Sequence, residues 1–225
     1  MFEDRKDTGQ RLARALEKYK DQDVTVLGIP RGGVEVGYYV AKSLRAHFSM
    51  LVSRKLPLPD DPEAGFGAMA EDGSIFLIER AAQRVSKRDI EAIQEAQKLE
   101  IARRIKALRK DRPLPDLKGR TVILVDDGIA MGATMRAAIQ LCRNKKAKKV
   151  VAAAPVASVD AALEVEGIVD ELAVLETPVF FQAVAQFYSR WYDVPDEEVL
   201  AIMNRWEKEE ARDGRHRAPG KSSSA

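Results

Sequence analysis

Short apolar runs alternate along this chain with segments in which apolar residues recur at helical spacing. The runs "VTVLGI" (24–29), "RTVILVDD" (120–127) and "KKVVAAAPVAS" (148–158) are rich in β-branched residues or alanine and show no polar alternation in their interiors. Such runs are typical of strands that are buried on both faces of a sheet. Because helical segments lie between them, the sequence predicts an α/β fold with an open, mainly parallel sheet flanked by helices.

The remaining segments complete the predicted order of elements. We expect one domain over 1–210, with a core over about 20–176, an inserted long helix over about 87–110 and a C-terminal hood and helix over about 177–210. Residues 211–225 are small, polar or charged, and we expect a disordered tail. The other predicted elements are helices over 8–20, 34–46 and 196–210, strands over 48–56 and within 167–176, and a hairpin over 66–79 around Asp72-Gly73.

Composition narrows the classes of function. The net charge of +2 over 225 residues gives no general attraction to nucleic acid, so we disfavour nucleic acid as a partner and interpret the cation-rich stretch 80–112 as a solvated helix face. No apolar run approaches the ~20 residues of a bilayer-spanning helix. The single Cys142 excludes an intramolecular disulfide, and the charged start "MFEDRKDTGQ" is unlike a secretion signal. We therefore expect a cytoplasmic protein without a membrane partner.

The stretch "VDDGIAMGATM" (125–135) is the first candidate site. A Gly/Ala-rich turn between strand and helix lets backbone N–H groups point at an anion, and the helix N-terminus adds partial positive charge, so a phosphate fits there. Thr134 is placed to cap this helix or to donate its hydroxyl to the phosphate. Asp126 and Asp127 need donors or a cation, which sugar hydroxyls and Mg²⁺ supply. The stretch predicts a ligand such as a ribose 5-phosphate; an ordinary bend at Asp127-Gly128 is the alternative.

Two further loops follow strands, and we expect them at the same edge of the sheet, where open α/β sheets bind ligands. "GIPRGG" (28–33) offers glycine backbone and Arg31 to an anion, although Gly32-Gly33 can also be a loose turn. Its glycine spacing misses the dinucleotide pattern, which disfavours a Rossmann-type or nucleotide-sugar enzyme. "SRKL" (53–56) carries adjacent Arg54 and Lys55, which are either a surface charge pair or a means to stabilise a highly charged leaving group.

These three segments, in this order, resemble the type I phosphoribosyltransferases. "VILVDDGIAMGAT" follows that family's signature of an apolar strand, two acidic residues and a phosphate loop, except at Met131. "GIPRGG" is similar to its pyrophosphate loop, "SRK" to the Arg-Lys of adenine phosphoribosyltransferase-type members, and "PLPDDPEAG" (57–65) stands where the family has a flexible catalytic loop. The resemblance covers roughly 20–160. With "FQAVAQFY" (181–188), the layout is closest to a sparsely characterised bacterial and archaeal branch of predicted phosphoribosyltransferases.

The resemblance implies a role for each matching position. Asp126 and Asp127 would hold the ribose 2- and 3-hydroxyls of phosphoribosyl pyrophosphate, directly or through Mg²⁺, which is the implied cofactor. Arg54 and Lys55 would act as catalytic cations while pyrophosphate departs. The residues implied to bind the 5-phosphate are Ala130, Met131, Gly132, Ala133 and Thr134, and those implied to bind pyrophosphate are Pro30, Arg31, Gly32 and Gly33. The implied reaction transfers ribose 5-phosphate to an acceptor and releases pyrophosphate.

Two positions depart from the family's pattern. Ala130 stands where 6-oxopurine enzymes have an Asp that interacts with the purine, which argues against hypoxanthine or guanine as acceptor. Met131 stands where the family usually has a Thr that contacts the 5-phosphate, and the loss of one neutral donor costs on the order of 1 kcal/mol of binding. The acceptor is expected to be a nucleobase-like small molecule. The hood that selects it is 1–20, 87–110 or the aromatic segment 177–192, whose rings can either stack on a base or pack the C-terminal helix.

Two functions remain open from the sequence. One is a Mg²⁺-dependent phosphoribosyltransferase; the other is a non-catalytic or regulatory module of the same fold that senses phosphoribosyl pyrophosphate or a nucleotide. Arg54-Lys55 and the segment 57–65 favour the enzyme, whereas Met131 favours the sensor. In either case we expect a homodimer, for which the basic helix 87–110 is a candidate interface.

Overall fold

The computed structural model describes residues 1–62 and 64–212. Most predicted elements are present, with boundaries shifted by a few residues, and α3 and α6 lie where the sequence predicted no helix. The strands are β1 (Val24–Gly28), β2 (His47–Met50), β3 (Ser53–Pro57), β4 (Gly65–Ala70), β5 (Ile75–Leu77), β6 (Thr121–Val125), β7 (Lys149–Val156) and β8 (Glu171–Glu176). The helices are α1 (Arg5–Ala15), α2 (Gly32–Leu44), α3 (Glu79–Ala82), α4 (Lys87–Arg109), α5 (Ala133–Asn144), α6 (Val159–Glu166) and α7 (Asp196–Arg212).

Five strands form a parallel sheet in the order β2-β1-β6-β7-β8. Gly28 pairs with both Met50 and Val125, so the carboxyl ends of the three adjacent strands lie level with one another. All five residues of β1 are buried, as expected of a central strand covered on both faces. Helices α1, α2 and α7 pack on one face of the sheet, and α5 and α6 on the other. The predicted fold class is confirmed.

A second, antiparallel sheet in the order β3-β4-β5 lies outside the parallel one. The predicted hairpin over 66–79 is present in it as β4 and β5. The prediction of one strand over 48–56 was wrong, because β2 belongs to the parallel sheet and β3 to the antiparallel one. Between them, the Val52 N–H donates to the Glu71 carboxylate at 3.0 Å instead of continuing a strand ladder. The local pattern of residues 48–56 does not reveal this side-chain contact, because Glu71 lies outside the stretch.

Helix α4 packs on the antiparallel sheet and is fixed at its C-terminal end by Arg109. The Arg109 guanidinium donates to both oxygens of Glu71, at 2.8 and 3.0 Å, and to the Met50 carbonyl at 3.0 Å. Both side chains of the ion pair are at most 7% exposed. The interpretation of the stretch 80–112 as a solvated face therefore fails at Arg109, and also at Arg104, which is buried as well.

The first residues of the chain pair with the segment that precedes α7. The Phe2 N–H donates to the Phe187 carbonyl at 2.7 Å, and the N–H of Ser189 donates back to the Phe2 carbonyl at 2.8 Å. Of the tail expected over 211–225, residues 211–212 belong to α7, and 213–225 lie outside the described residues. Within 1–62 and 64–212, no helix is long and apolar enough to cross a membrane.

Candidate active site

The acidic pair directly follows β6, at the level where the strands of the parallel sheet end. The Asp126 carboxylate accepts the backbone N–H of Asp127 at 2.9 Å. Burial raises the pKa of Asp126 well above its usual range, and the charge of Asp127 raises it further. Burial also raises the pKa of Asp127, while the Arg5 guanidinium opposes that rise. Negative charge at this point is costly, so the pair is suited to a ligand that brings donors or a cation.

A cavity of about 240 Å³ opens beside Asp126. One wall is the turn after the acidic pair, together with the first turn of α5; the opposite wall is the antiparallel sheet. That sheet contributes Lys55, Gly65 and Gly67, and Ile78 follows directly after β5. The structure therefore brings Asp126, Lys55 and residues 130–134 together around one cavity. The sequence expected Lys55 at the end of a strand of the parallel sheet, whereas it lies within β3 of the antiparallel sheet. Asp127 is not among the residues that line it.

The turn that follows the acidic pair leads into α5 through Gly132. Gly132 has φ of +71° and occupies the N-cap position, a left-handed conformation that glycine adopts without a Cβ penalty. The first N–H groups of α5 have no partners within the helix and carry partial positive charge. The Ala130 carbonyl accepts the Ser158 hydroxyl at 2.7 Å, and Ser158 does not line the cavity. The geometry of the turn is therefore compatible with the anion site that the sequence predicts.

Thr134 and Met131 both line the cavity from this turn. Thr134 does not cap α5, since the helix begins one residue earlier and its N-cap is Gly132; Thr134 lines the cavity instead. Met131 is 56% exposed and lines the cavity mouth. Its thioether is at best a weak acceptor, so the backbone is left to provide the donors at this position.

The loop 30–33 packs directly against the acidic pair. Its Pro30–Arg31 peptide bond is cis, and α2 begins at Gly32. A Cβ added at Gly32 would overlap the Asp127 carboxylate, and one added at Gly33 would lie 2.8 Å from the Asp126 Cα. Only residues without side chains allow this approach, which explains the adjacent glycines. Arg31 reaches towards α7, where its Nη1 lies 3.9 Å from Asp196 Oδ1.

Side chains alternate between the two faces of β3, so the adjacent Arg54 and Lys55 point in opposite directions. Lys55 lines the cavity, whereas Arg54 donates from Nε to Gln97 Oε1 of α4 at 3.1 Å and is not among the lining residues. Burial lowers the pKa of Arg54, and the guanidinium of Arg104 lowers it further. The two cations were expected to act together, but the structure places only Lys55 at the cavity.

Arg5 is the residue of this region that sequence reasoning missed. Its Nε lies 2.9 Å from Asp127 Oδ2, and its Nη1 donates to the Tyr192 carbonyl at 3.0 Å. The side chain is 2% exposed although it begins the first helix of the chain. Its local sequence, "FEDRKDT", looks like an ordinary charged helix start. The one available signal was indirect: two adjacent carboxylates directly after a buried strand, both only partly exposed, are stabilised by a cation from elsewhere in the chain.

The aromatic segment 177–192 meets Arg5 and the turn. The Arg5 guanidinium lies 4.1 Å from the Trp191 ring centre and 5.1 Å from that of Tyr192. The Tyr188 hydroxyl donates to the Asp127 backbone carbonyl at 2.7 Å. Phe180, in contrast, is 86% exposed. Trp191 and Tyr192 therefore pack around Arg5, whereas Phe180 remains accessible to solvent.

The described residues fit Mg²⁺ only if the ion arrives with a ligand. Within the described part of the chain, no group of three or more His, Cys, Asp or Glu side chains could hold a metal by itself. Mg²⁺ commonly needs only one or two protein carboxylates when substrate phosphates and waters complete its coordination. Asp126 lines the cavity and meets that requirement, whereas the charge of Asp127 is balanced by Arg5.

Comparison with known sequences decides the family. The family described as "Phosphoribosyl transferase domain" matches residues 3–188 of this chain. The chain belongs to this family. The resemblance inferred from the sequence is therefore confirmed. The matched region of the phosphoribosyl transferase domain includes Arg5 and Tyr188 and ends before Trp191 and α7.

Individual relatives agree with this assignment. Two Mycobacterium tuberculosis proteins provisionally named phosphoribosyl transferases, Rv0571c and MT0597, are 40% identical to the chain over 216 residues, or 95% of its length. The chain spans about half, 49%, of the length of these curated relatives. The crystal structure of TT1426 from Thermus thermophilus is similar, with a TM-score of 0.76 and 36% identity over 91% of this chain and 98% of that one.

Proposed function

We propose that this phosphoribosyl transferase domain uses phosphoribosyl pyrophosphate and Mg²⁺ to transfer ribose 5-phosphate to a nucleobase-like acceptor, with release of pyrophosphate. The observation that carries the proposal is the single cavity shared by Asp126, Lys55 and the N-terminus of α5. Its walls offer separate partners for a sugar diol, a leaving group and a phosphate. Membership of the family supports the same reaction class.

The ligand is held by three groups of residues in this proposal. The 5-phosphate binds to the backbone of residues 130–134 and to Thr134, where the helix N-terminus favours negative charge. The ribose hydroxyls donate to Asp126 on the cavity wall. Pyrophosphate lies between the loop 30–33 and Lys55, with Arg54 behind Lys55 on the α4 side.

The reaction is a displacement at the anomeric carbon of the ribose. The bond from that carbon to the pyrophosphate oxygen breaks, and a bond to the acceptor nitrogen forms. A proton carried by that nitrogen leaves with the departing pyrophosphate or to water. Lys55 and Arg31 balance the charge that accumulates on the departing pyrophosphate, and Asp126 orients the ribose through its hydroxyls. When bound, Mg²⁺ supplies further neutralisation of the pyrophosphate charge. The chain's own task is thus to position the two reactants and to balance charge, without a covalent intermediate.

The acceptor is proposed to be other than a 6-oxopurine. Ala130 is exposed beside the cavity and has no polar atom in its side chain, so it cannot provide the carboxylate that 6-oxopurine enzymes have at this position. The hood over this edge is formed by the first residues of the chain and by 183–192. Val184 packs closely on Gly128 of the turn, because a Cβ added at Gly128 would lie 2.5 Å from a Val184 methyl.

A regulatory module that senses phosphoribosyl pyrophosphate or a nucleotide is the second candidate. The observation that favours it is Met131, which removes a side-chain hydroxyl from the phosphate turn. Incubation with phosphoribosyl pyrophosphate, Mg²⁺ and a panel of nucleobases separates the two candidates. The enzyme releases pyrophosphate with at least one base other than hypoxanthine or guanine. If phosphoribosyl pyrophosphate binds but no pyrophosphate is released with any base in the panel, the sensor is favoured. If phosphoribosyl pyrophosphate does not bind, both candidates are contradicted.

We also propose one domain over 1–210, a homodimer in solution and a cytoplasmic location. Helix α4 is the candidate dimer interface, and Leu99, at 73% exposure, is the large apolar side chain on it that a substitution can reach without disturbing the core. Light scattering of the wild type and of Leu99→Lys tests this point: a dimer that the substitution converts to a monomer is expected. A monomeric wild type would contradict the dimer.

A further inference from the structure

We propose that Glu35, Tyr192 and Glu198 form a proton-dependent latch that holds the hood against α2 and α7. Tyr192 of the hood lies between two carboxyl groups that share one extra proton, and loss of that proton at higher pH frees the tyrosine. Glu35 is thus a positioning residue of the hood. The inference goes beyond the proposed function, because it concerns the hood itself and does not require that any particular ligand binds.

The Tyr192 hydroxyl contacts two carboxyl groups that come from different helices. Its oxygen lies 3.0 Å from Oε2 of Glu35 on α2 and 2.8 Å from Oε1 of Glu198 on α7. Both distances are those of hydrogen bonds between oxygen atoms. Within residues 1–62 and 64–212, no Arg, Lys or His forms an ion pair with either carboxyl group. The hydroxyl is therefore the group that joins the two carboxyl groups to the hood.

The two contacts determine how many protons the cluster contains. A tyrosine hydroxyl has one proton, which it donates in one direction, while its oxygen can accept from another donor. If both carboxyl groups were ionised, one of them would face the hydroxyl oxygen with no proton between the two oxygen atoms. Both hydrogen bonds form together only when one carboxyl group is protonated and donates to the tyrosine oxygen. The closed latch therefore contains two protons, one on the tyrosine and one on a carboxyl group.

Glu35 is the carboxyl group suited to hold the second proton. Burial raises the pKa of Glu35 above its usual 4.5, and the charges of Glu198 and Asp4 raise it further. The Tyr192 hydroxyl and the Arg5 guanidinium oppose the rise without cancelling it. In the closed latch, Glu35 donates to the tyrosine oxygen, and the tyrosine donates to ionised Glu198.

The two tyrosines beside Glu35 keep their protons while Glu35 titrates. Burial raises the pKa of Tyr192, and the carboxylates of Glu198 and Glu35 raise it further. Burial likewise raises the pKa of Tyr39, with a further rise from the charge of Glu35. Because the pKa of Glu35 in the folded state lies above 4.5, the stabilisation by the latch is complete below pH 4.5 and is lost as the pH rises through that raised pKa.

Tyr192 connects the latch to the candidate site. Its backbone carbonyl accepts Arg5 Nη1 at 3.0 Å, and its ring centre lies 5.1 Å from the same guanidinium. Arg5 in turn donates to Asp127 at 2.9 Å, and the Trp191 ring covers the guanidinium at 4.1 Å. When the latch opens, the segment around Tyr192 loses its hydroxyl contacts with α2 and α7. The hood is then free to move away from the site as the pH rises.

The test is acrylamide quenching of tryptophan fluorescence in the full chain, from pH 4.5 to about 9, below the usual pKa of tyrosine. The chain has two tryptophans, and Trp206 is only 3% exposed, so changes in quenching report on Trp191 beside the latch. In the wild type, quenching should increase as the pH rises. Glu35→Gln should stay weakly quenched at every pH, because a neutral amide still donates to the tyrosine oxygen. Tyr192→Phe should be strongly quenched at every pH, because it has no hydroxyl.

Glu197→Gln is the matched control, because Glu197 is exposed on the same turn of α7 and its loss should leave the wild-type pH dependence in place. Quenching of the wild type that does not change with pH would overturn the latch, and so would a Glu35→Gln variant that follows the wild-type pH course. Should Glu35→Gln not unfold cooperatively, Glu198→Gln decides. Its amide donates to the tyrosine oxygen while the tyrosine donates to ionised Glu35, so its quenching should stay low at every pH, and a wild-type pH course in this variant would contradict the latch.

Discussion

Arg54 and Lys55 are adjacent in the chain but serve different surfaces: Lys55 lines the cavity, and Arg54 donates to Gln97 of α4 at 3.1 Å. Lys55→Met should therefore lower the affinity for phosphoribosyl pyrophosphate by tenfold or more, since a hydrogen bond to a charged group contributes about 1.5–3 kcal/mol. Arg54→Met should cost less affinity. Calorimetric titration of both variants checks this, and equal losses would contradict the division between the two cations.

The buried ion pair between Glu71 and Arg109 should dominate the attachment of α4. Glu71→Gln removes one partner of a pair that is at most 7% exposed and should lower the free energy of unfolding by about 3 kcal/mol. Urea denaturation measures the change. Glu207→Gln is the matched control, because Arg112 and Glu207 are 54% and 33% exposed and their pair should contribute at most about 1 kcal/mol. A similar loss in both variants would contradict the role of burial.

Glu100 should make stability depend on acid pH. Hydrogen bonds from Arg103, at 2.7 Å, and from Arg104, at 3.0 Å, hold the pKa of the Glu100 carboxyl at about 2, below its usual 4.5. A carboxyl with a lowered pKa in the folded state stabilises the protein above pH 4.5, and that contribution disappears as the pH falls towards 2. The stability difference between the wild type and Glu100→Gln should therefore shrink over this range.

Urea denaturation of Glu100→Gln at several pH values between 7 and 2 measures that difference. Glu95→Gln is the control on the same helix. Glu95 Oε1 lies 3.7 Å from Lys98 Nζ, and both side chains are about 70% exposed, so this pair should contribute little to the free energy of unfolding at any pH. If the difference in free energy of unfolding between the wild type and Glu100→Gln stays constant down to pH 2, the ionised Glu100 carboxylate is not the source of that difference.

Met131→Thr should tighten binding of phosphoribosyl pyrophosphate. Met131 is 56% exposed at the cavity mouth, so its replacement leaves the core intact, and the new hydroxyl adds one donor to the phosphate turn. A gain of about 1 kcal/mol corresponds to roughly fivefold in affinity. Titration of the variant checks the gain, with Met131→Ala as the control without a donor. A Thr variant that binds no better than the Ala variant would contradict a 5-phosphate at this turn.

Much of the fold followed from local patterns. The runs at β1, β6 and β7 lack polar alternation because helices cover both faces of the central strands. Their burial can therefore be predicted from the sequence of each strand alone. The break between β2 and β3 was missed because it depends on a contact of Val52 with Glu71, which comes from a distant hairpin. Periodicity contains no information on such long-range side-chain contacts.

The candidate site likewise contains residues that local patterns predict and residues that only long-range contacts bring to it. Asp126 and residues 130–134 could be placed from the sequence because they follow a strand of the parallel sheet, where open α/β sheets bind ligands. Lys55 reaches the same cavity from within β3 of the antiparallel sheet, a route that the sequence did not predict. Arg5 could not be predicted, since nothing in a charged helix start indicates that its cation will be buried beneath Trp191. The opposite directions of Arg54 and Lys55 follow from side-chain alternation within β3. Which of the two meets the cavity depends on the packing of β3 against α4, where Arg54 donates to Gln97.

The proposed donor site is tested most directly by calorimetric titration of phosphoribosyl pyrophosphate, with Mg²⁺, into the wild type and into Asp126→Asn/Asp127→Asn. The wild type should bind the ligand, and the double variant should lose binding while its thermal unfolding remains cooperative. Because Asp126 is the acidic residue that lines the cavity, Asp126→Asn alone should account for most of the loss. Binding that is unchanged in a folded double variant would contradict the central claim.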